Sequence, residues 1–335
     1  MSASRESPPR STLSTVRESL PPGTLLGGYR VLETIGKGGF SLIYLAQIDE
    51  TGDEVVIKEF MPQKIARRNQ RGWVVPMEAK YTEDLYRGRK LFFLEVKALA
   101  SLKHPNIVRV LAFFLANQTA YLVMPNERGR NLGAYILERG GGLSTTFILD
   151  VFLPVLDALA LLHKRQMLHL DVKPGNIHLR YGDGRSRQPL LLDLGAVHPL
   201  SRGRARGGQV ITSGYSPVEQ YYRSGNVGPW TDVYAVGASL RTCMDGCTPP
   251  PSIERRPHDP LVPAVVELKN RYPAYLLEAV DWAMAMDPAK RPQDARELLN
   301  ALTRQICSLP QSELSGLAPS QRGPDRTRAP TNRPN

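Results

Sequence analysis

A stretch of six residues places three kinds of chemically useful side chain next to one another. Asp171, Lys173 and Asn176 follow an apolar segment, and Pro174 and Gly175 between them stop regular structure. An aspartate can accept a hydroxyl proton, a lysine can neutralise a phosphate, and an asparagine oxygen can bind Mg²⁺. The sequence therefore predicts a loop that holds these side chains together for phosphoryl transfer.

A second acid follows this loop at the end of an apolar strand. Asp193 comes directly after residues 190–192, seventeen residues beyond Asn176. A carboxylate delivered by a buried strand can share a Mg²⁺ ion with an amide oxygen across the phosphates of a nucleotide. We therefore expect Asn176 and Asp193 to be metal ligands.

A glycine-rich turn earlier in the chain could approach those phosphates closely. The turn from Gly36 to Ser41 lies between predicted strands at residues 29–35 and 42–46, so the segment is a hairpin. Such a turn is a weak signal by itself, because many hairpins contain one. A dinucleotide-binding fold is excluded, because a strand and not a helix follows the glycines.

Lys58 is predicted to lie on an apolar strand face, where an ammonium group needs a partner. Alternation in the strand 54–60 places Lys58 on the same face as Val56 and Phe60. An unpaired buried ammonium is costly, although the alternative is that the side chain reaches solvent. Glu95 lies on the apolar stripe of the next predicted helix, at residues 91–102. We therefore predict a Lys58–Glu95 ion pair that leaves Lys58 aimed at phosphate oxygens.

Composition narrows the class of protein. The 335 residues include 43 Lys and Arg against 32 Asp and Glu, a formal charge of +11. This surplus could indicate nucleic acid, but no arginine-rich helix, zinc spacing or aromatic RNA-binding motif accompanies it, so no nucleic-acid partner is expected. Three cysteines favour a reducing compartment, here the cytoplasm. The sequence contains no apolar run of 18 residues, so we predict no membrane span, and we expect no signal peptide.

The remaining elements complete a small sheet and a helical region. Strands at residues 107–115 and 119–124 bring the predicted sheet to five strands, and an extended linker follows. Helices are predicted at residues 145–163, 230–244, 275–286 and 293–306.

Taken in order, these motifs resemble those of the protein kinase superfamily, and within it the bacterial serine/threonine kinases of the eukaryotic-like type. Gly36 and Gly38 match the first two glycines of the family's G-x-G-x-x-G-x-V loop, while Ser41 stands at the third and Ile43 at the valine. Lys58 matches the lysine of V-A-I-K. The resemblance runs from about residue 29 to residue 306.

The later motifs match in the same order. Met124 resembles the gatekeeper, with Pro125 and Glu127 as the hinge. The stretch from His169 to Asn176 matches H-R-D-x-K-x-x-N, residues 193–195 stand for D-F-G, and residues 217–219 correspond to A-P-E.

Two further pairs of residues have counterparts in the family. The resemblance implies a buried ion pair between Glu219 and Arg291. Lys173 and Thr212 resemble the residues of serine/threonine rather than tyrosine kinases.

The resemblance implies an α+β, bilobal protein kinase fold. It has a small N-terminal five-stranded antiparallel sheet with one main helix, and a larger, mostly helical C-terminal lobe. The kinase domain would cover residues 26–306, with the N-lobe at about 26–125 and the C-lobe at about 129–306. The flanking tails, 1–25 and 307–335, are predicted to be disordered.

The implied activity transfers the γ-phosphoryl of ATP to Ser or Thr hydroxyls of proteins, including the chain itself. It would use ATP and Mg²⁺, with Mn²⁺ as the alternative ion. The implied catalytic residues are Asp171, Lys173, Lys58 and Glu95, and the metal ligands are Asn176 and Asp193. The implied nucleotide-binding residues are Ile35, Gly36, Lys37, Gly38, Gly39, Phe40, Ser41, Ile43, Lys58, Met124, Pro125 and Glu127. His169 would have a structural role.

One departure from the family pattern bears on regulation. Leu170 replaces the arginine that pairs with an activation-loop phosphate, and an isobutyl group cannot make that pair. We therefore expect activity that does not require activation-loop phosphorylation. Ser41, lacking glycine's freedom, would stiffen the phosphate loop.

Three other functions compete with this one. A nucleotide-binding pseudokinase scaffold would bind ATP without transferring phosphate. A small-molecule kinase of the aminoglycoside or choline type shares an H-x-D motif but lacks the Lys173 spacing and the segments 217–219 and 287–292. A nucleic-acid binder would depend on the basic charge alone. The oligomeric state is left open.

Overall fold

Two hydrophobic cores divide the molecule into an N-lobe and a C-lobe. The computed structural model describes residues 18–181, 188–193, 198–199, 211–222, 224–256 and 258–307. Leu194 and Gly195 of the D-F-G match lie outside these residues. So do the segment 200–210, which contains Ser201, and the tails 1–17 and 308–335.

Thirteen strands and eight helices are assigned to the described residues. The strands are β1 (Leu25–Leu26), β2 (Tyr29–Lys37), β3 (Ser41–Ile48), β4 (Glu54–Phe60), β5 (Ala66–Arg68), β6 (Val74–Pro76), β7 (Ala112–Ala116), β8 (Thr119–Pro125), β9 (Gly129–Asn131), β10 (Met167–Leu168), β11 (Ile177–Arg180), β12 (Gln188–Leu191) and β13 (His198–Pro199). The helices are α1 (Thr82–Ala100), α2 (Leu132–Arg139), α3 (Thr145–Lys164), α4 (Val218–Tyr221), α5 (Pro229–Asp245), α6 (Ala264–Glu267), α7 (Ala274–Ala283) and α8 (Ala295–Cys307).

The N-lobe is built on an antiparallel sheet in the order β1-β2-β3-β4-β8-β7. The five predicted strands are present, and β1 adds a sixth at one edge. Gly27 and Gly28 form the turn from β1 to β2 with φ of +57° and +87°, which only glycine adopts at little cost. Leu20 is buried in the same core. Residues 18–25 therefore belong to the folded unit, and the predicted disordered tail is wrong for that part.

The strand predicted at residues 107–115 begins only at Ala112. Ile107 instead bridges Leu191 of the C-lobe, and Val108 donates its N–H to the Leu191 carbonyl at 3.2 Å. Both side chains are buried, so they are apolar like the residues of a sheet strand, and the sequence pattern does not distinguish the two cases. Because their backbones pair with Leu191 of the other lobe, the N-lobe strand begins later than predicted.

The C-lobe is organised around α3. Ser144 begins this helix by accepting the Phe147 N–H at 3.2 Å, and the helix continues across Pro154. α3 packs against α5 and α8 in the C-lobe core. By length and composition it is the one helix of the described ranges that could cross a membrane. Its buried side chains, such as Phe152 and Leu156, are those of a core helix.

Candidate active site

The loop after β10 brings the predicted acid, amine and amide together. Lys173 Nζ donates to both carboxylate oxygens of Asp171, at 2.9 and 2.8 Å, and Asn176 Nδ2 donates to Oδ2 at 2.9 Å. Residues Pro174–Asn176 form a 3-10 turn, which returns Asn176 toward Asp171. The three side chains are therefore neighbours, as the sequence predicts.

A hydroxyl lies between the acid and the amine. Thr212 Oγ1 donates to Asp171 Oδ1 at 2.6 Å and accepts from Lys173 Nζ at 3.2 Å. The Thr212 backbone N–H donates to Ser216 Oγ at 3.0 Å, which fixes the threonine in this position. Asp171 and Lys173 can thus hold an alcohol in hydrogen-bonding geometry, and the Thr212 hydroxyl stands in for one.

A buried carboxylate holds the backbone of this loop in place. Asp232, at the start of α5, is fully buried and accepts the backbone N–H groups of His169 at 2.9 Å and Leu170 at 2.7 Å. It also accepts from His163 Nε2 at 2.9 Å. Burial would raise the pKa of Asp232, but the bond from His163 and the neighbouring groups hold it below its usual value. The carboxylate therefore stays ionised and fixes the loop.

The backbone of Leu170 shows why such support is needed. Its φ of +60° lies in the left-handed region, which costs a non-glycine residue energy unless the surroundings enforce it. Asp232 binds its N–H, and Gln220 Nε2 donates to its carbonyl at 2.6 Å. The side chain packs with Leu168 and Val227, so the position is apolar as well as constrained.

His169 joins the catalytic loop to Leu192, which directly follows β12. Its ring is fully buried, and Nδ1 accepts the Asp171 N–H at 3.3 Å. Nε2 is therefore the donor to the Leu192 carbonyl at 3.0 Å. Both ring nitrogens are engaged with backbone, which agrees with the structural role expected for His169.

Lys58 on β4 reaches across to the C-lobe. Its Nζ forms an ion pair with Oδ1 of Asp193, a residue with φ of +57° directly after Leu192. Lys58 is 8 % exposed at its side chain and Asp193 is 41 % exposed. Desolvation raises the pKa of Asp193, but the charge of Lys58 outweighs it and keeps the pKa below its usual value. Asp193 is therefore an anion available to a ligand at neutral pH.

The predicted metal ligands offer the oxygen atoms that Mg²⁺ prefers. Asn176 Nδ2 donates to the carbonyl and the carboxylate of Asp171, at 2.7 and 2.9 Å, so the amide oxygen is turned away from that residue. Leu192 N donates to the Asn176 carbonyl at 2.8 Å, which brings Asp193 next to Asn176 in the fold. No cluster of three or more His, Cys, Asp or Glu side chains within the described ranges could hold a metal alone. These two residues therefore fit an ion that is completed by phosphate oxygens or water.

Apart from Lys58 on β4, the predicted nucleotide-binding residues lie in two segments. The β2–β3 hairpin carries Ile35, Gly36, Lys37, Gly38, Gly39, Phe40, Ser41 and Ile43, and the end of β8 carries Met124 and Pro125, followed by Glu127. Ile35 and Phe40 are 50 % and 49 % exposed. A Cβ at Gly39 would meet no atom within 4 Å, and neither Gly38 nor Gly39 has a left-handed φ. The surroundings do not require glycine here, and the absence of a side chain lets a ligand approach this backbone closely.

The segment after β8 is fastened to the C-lobe. Met124 packs against both cores, so it lies between the lobes. The Glu127 carbonyl accepts from His178 Nε2 at 3.0 Å, and the Glu127 carboxylate lies 3.8 Å from Arg180. Burial lowers the pKa of His178, so its ring is neutral near pH 7. Sequence reasoning missed His178, although it lies two residues beyond Asn176.

Two predicted ion pairs have different outcomes. Arg291 Nη1 lies 2.7 Å from Glu219 Oε1, and both side chains are buried, so this implied pair is confirmed. Glu95 is partly buried on α1. The ion pair described for Lys58 is the one with Asp193, and a pair with Glu95 stays a prediction.

Comparison with known proteins decides the family. The family model of the protein kinase domain matches residues 29–302. The chain belongs to the protein kinase family. The site described above occupies the cleft between the lobes of this kinase domain.

Several kinases resemble this domain along most of its length. The serine/threonine-protein kinase PknA of Nostoc sp. is 31 % identical over 301 residues, which cover 84 % of this chain and 48 % of PknA. The serine/threonine-protein kinase PknK of Mycobacterium tuberculosis is 27 % identical over 338 residues, 96 % of this chain and 28 % of PknK. The chain thus spans about half or less of the length of these relatives.

Solved structures agree with the fold. The apo form of PpkA-294 superposes with a TM-score of 0.73 at 30 % identity, covering 85 % of this chain and all of that one. The kinase domain of Mycobacterium tuberculosis PknI gives a TM-score of 0.61 at 22 % identity, covering 86 % of this chain and all of that one. The bilobal kinase fold is confirmed.

Proposed function

We propose that this chain is an ATP- and Mg²⁺-dependent serine/threonine protein kinase, which transfers the γ-phosphoryl of ATP to hydroxyls of proteins and of itself. The observation that carries the proposal is the Thr212 hydroxyl, which lies between Asp171 and Lys173 at 2.6 and 3.2 Å. A substrate hydroxyl in that position would have an acceptor for its proton and a cation beside it. The names of the serine/threonine kinases that it resembles support the same conclusion.

Each polar side chain has a distinct task in this mechanism. Asp171 orients the substrate hydroxyl and accepts its proton, while Lys173 stabilises the charge that develops on the γ-phosphoryl. Lys58 binds the α- and β-phosphates, and Asn176 and Asp193 would hold Mg²⁺. Bound there, the ion would neutralise charge on the phosphate oxygens.

The Lys58–Asp193 ion pair shows how ATP would join the two lobes. Lys58 Nζ and the Asp193 carboxylate are already in contact, and Asp193 is partly exposed. A nucleotide carrying Mg²⁺ offers each of them a new partner, phosphate oxygens for the lysine and the metal for the carboxylate. The pair therefore marks where the triphosphate lies in the proposed complex.

The transfer assay tests the proposal directly. The purified chain is incubated with radiolabelled ATP, Mg²⁺ and a generic basic protein, beside Asp171→Asn and the matched surface variant Asp49→Asn. Asp49 pairs with Arg30 and is 42 % exposed. We expect Asp171→Asn to lower turnover by about 10²–10⁴-fold and Asp49→Asn to have no effect.

The same assay separates this function from a nucleotide-binding scaffold. Binding of ATP by the wild-type chain without any labelled product would support the pseudokinase. Full activity of Asp171→Asn would show that Asp171 is not the base.

We also propose, from the cysteine content, that the protein is cytoplasmic. A fluorescent fusion found in another compartment would exclude this location.

A further inference from the structure

Three successive carbonyl groups of the glycine-rich turn are bound by one short segment that follows β4. The Gly38 carbonyl accepts from the Gln63 side-chain Nε2 at 2.9 Å, and the Gly39 carbonyl accepts from the Gln63 backbone N–H at 3.1 Å. The Phe40 carbonyl accepts from the Met61 N–H at 2.8 Å. The tip of the turn is therefore held along one side.

These bonds fix the direction of the N–H groups of the turn. In a trans peptide unit the C=O and the following N–H point in opposite directions. With the carbonyls of Gly38 and Gly39 directed at Gln63, the N–H groups of Gly39 and Phe40 point away from it. Within the described part of the chain, no backbone carbonyl accepts from either of them. Successive free N–H groups of this kind bind anions such as phosphate.

Gln63 supplies the one side-chain bond among the three. The bonds from the backbone N–H groups of Met61 and Gln63 would remain with any side chain at these positions except proline. The bond from Gln63 Nε2 depends on the identity of residue 63. It acts on the peptide between Gly38 and Gly39, which has a glycine on each side and therefore rotates easily when it is not held.

We infer that Gln63 is a positioning residue for the nucleotide phosphates, since its side chain holds the Gly38–Gly39 peptide with the Gly39 N–H directed at them. This inference rests on the proposed function. It predicts an effect on ligands that carry phosphate groups and no effect on the base and ribose alone.

The chain contains a matched control for this bond. Gln47 Nε2 donates to the Gly52 carbonyl at 2.8 Å, in the turn between β3 and β4. Both bonds join a glutamine amide to a glycine carbonyl in a hairpin of the same sheet, and both are exposed. Gln63→Met and Gln47→Met each remove the donor while keeping the length of the side chain and adding no charge.

Isothermal titration calorimetry of wild type and both variants with ATP and with adenosine tests the inference. We expect Gln63→Met to weaken ATP binding by about three- to tenfold, as for the loss of one hydrogen bond, and to leave adenosine binding unchanged. Gln47→Met should change neither affinity. Thermal denaturation confirms that both variants are folded.

Two results would overturn the inference. The first is an ATP-to-adenosine affinity ratio in Gln63→Met equal to that of wild type, and the second is an equal loss of ATP affinity in Gln47→Met. Failure of the proposed function looks different, because the wild-type chain would then give no labelled product in the transfer assay, whatever the two glutamine variants do. A wild-type chain that bound ATP no more tightly than adenosine would overturn both the function and the role of Gln63.

Discussion

Two neighbouring residues of β4, Lys58 and Glu59, carry opposite charges to opposite faces of the same sheet. Both are buried, yet their partners differ. Lys58 forms its ion pair with Asp193, which belongs to the other lobe and is 41 % exposed. One oxygen of that carboxylate takes part in the pair. The pair therefore spans the cleft and can be rearranged by a ligand.

Glu59 is held entirely within the N-lobe. Its carboxylate accepts from Tyr121 at 2.6 Å, from Tyr44 at 2.7 Å and from Arg68 on β5 at 2.5 Å. Arg68 also donates to the Glu18 carbonyl at 3.0 Å, which ties the first described residues to the sheet. Both carboxylate oxygens are satisfied without a ligand. The comparison shows that burial of a charge does not by itself mark a catalytic site. Glu59 is at least as deeply buried as Lys58, but the partner of Lys58 lies across the cleft and is partly exposed.

The largest expected effect is on stability, from Glu59→Gln. This substitution keeps the shape of the side chain but leaves Arg68, 4 % exposed, without its charge partner. Breaking one side of a buried pair costs about 3–5 kcal/mol, so the free energy of unfolding should fall by that amount in urea denaturation. Glu54→Gln, on the exposed start of the same strand, should change it by less than about 0.5 kcal/mol. Equal stability of the two variants would contradict a structural role for Glu59.

Lys58→Met should lower activity strongly and leave stability nearly unchanged. We expect the phosphotransfer rate to fall by about 10²–10³-fold, because a positioned cation on the phosphates is lost. Stability should change little, because water can solvate the partly exposed Asp193 carboxylate once its partner is gone. The measurements are the transfer assay and urea denaturation, with Lys64→Met, an exposed lysine after β4, as the control. A large loss of stability in Lys58→Met would remove the contrast between the two neighbours.

The sequence could predict the face of Lys58 and the contents of the catalytic loop, because both depend on local rules. Strand alternation places Lys58 on the apolar face of the sheet. The short spacing of Asp171, Lys173 and Asn176 within one loop makes them neighbours. The Glu219–Arg291 pair is different, since its members are 72 residues apart. It followed from family resemblance and not from the residues themselves.

The partners of Glu59 and Asp232 could not be predicted locally. Arg68 lies in a polar segment that shows no strand pattern, and only the β5–β6 hairpin brings it to Glu59. Asp232 lies at the start of α5, but its bonds to His163 and His169 join residues 69 and 63 positions apart. Such contacts depend on tertiary packing, which composition and periodicity do not encode.

A smaller effect should appear in the pH dependence of the Glu59 cluster. Burial, and then the charge of Glu59, raise the pKa of Tyr44 and of Tyr121 above the ordinary 10.0. Because the folded pKa is raised, these hydroxyls contribute stability that is present below pH 10 and is lost as the pH rises above it. Tyr44→Phe should make the decline of the unfolding free energy between pH 10 and 11 shallower by up to about 1.4 kcal/mol.

Urea denaturation at several pH values measures this slope. The control is Tyr181→Phe, at a tyrosine that is 71 % exposed, which should leave the slope unchanged. A slope in Tyr44→Phe equal to that of wild type would show that Tyr44 is not held protonated by its surroundings.

The smallest effect concerns Leu170, where neither kind of ion pair can form. Leu170 is 5 % exposed and packs with Leu168 and Val227, so no cation at this position awaits a phosphate from the activation loop. We therefore expect Ser201→Ala and Ser213→Ala together to change the rate in the transfer assay by less than about twofold, since no charge-assisted bond is lost. Leu170→Arg would instead bury an unpaired charge and should destabilise the C-lobe. A collapse of activity in the double alanine variant would show that a phosphorylated loop acts through another cation.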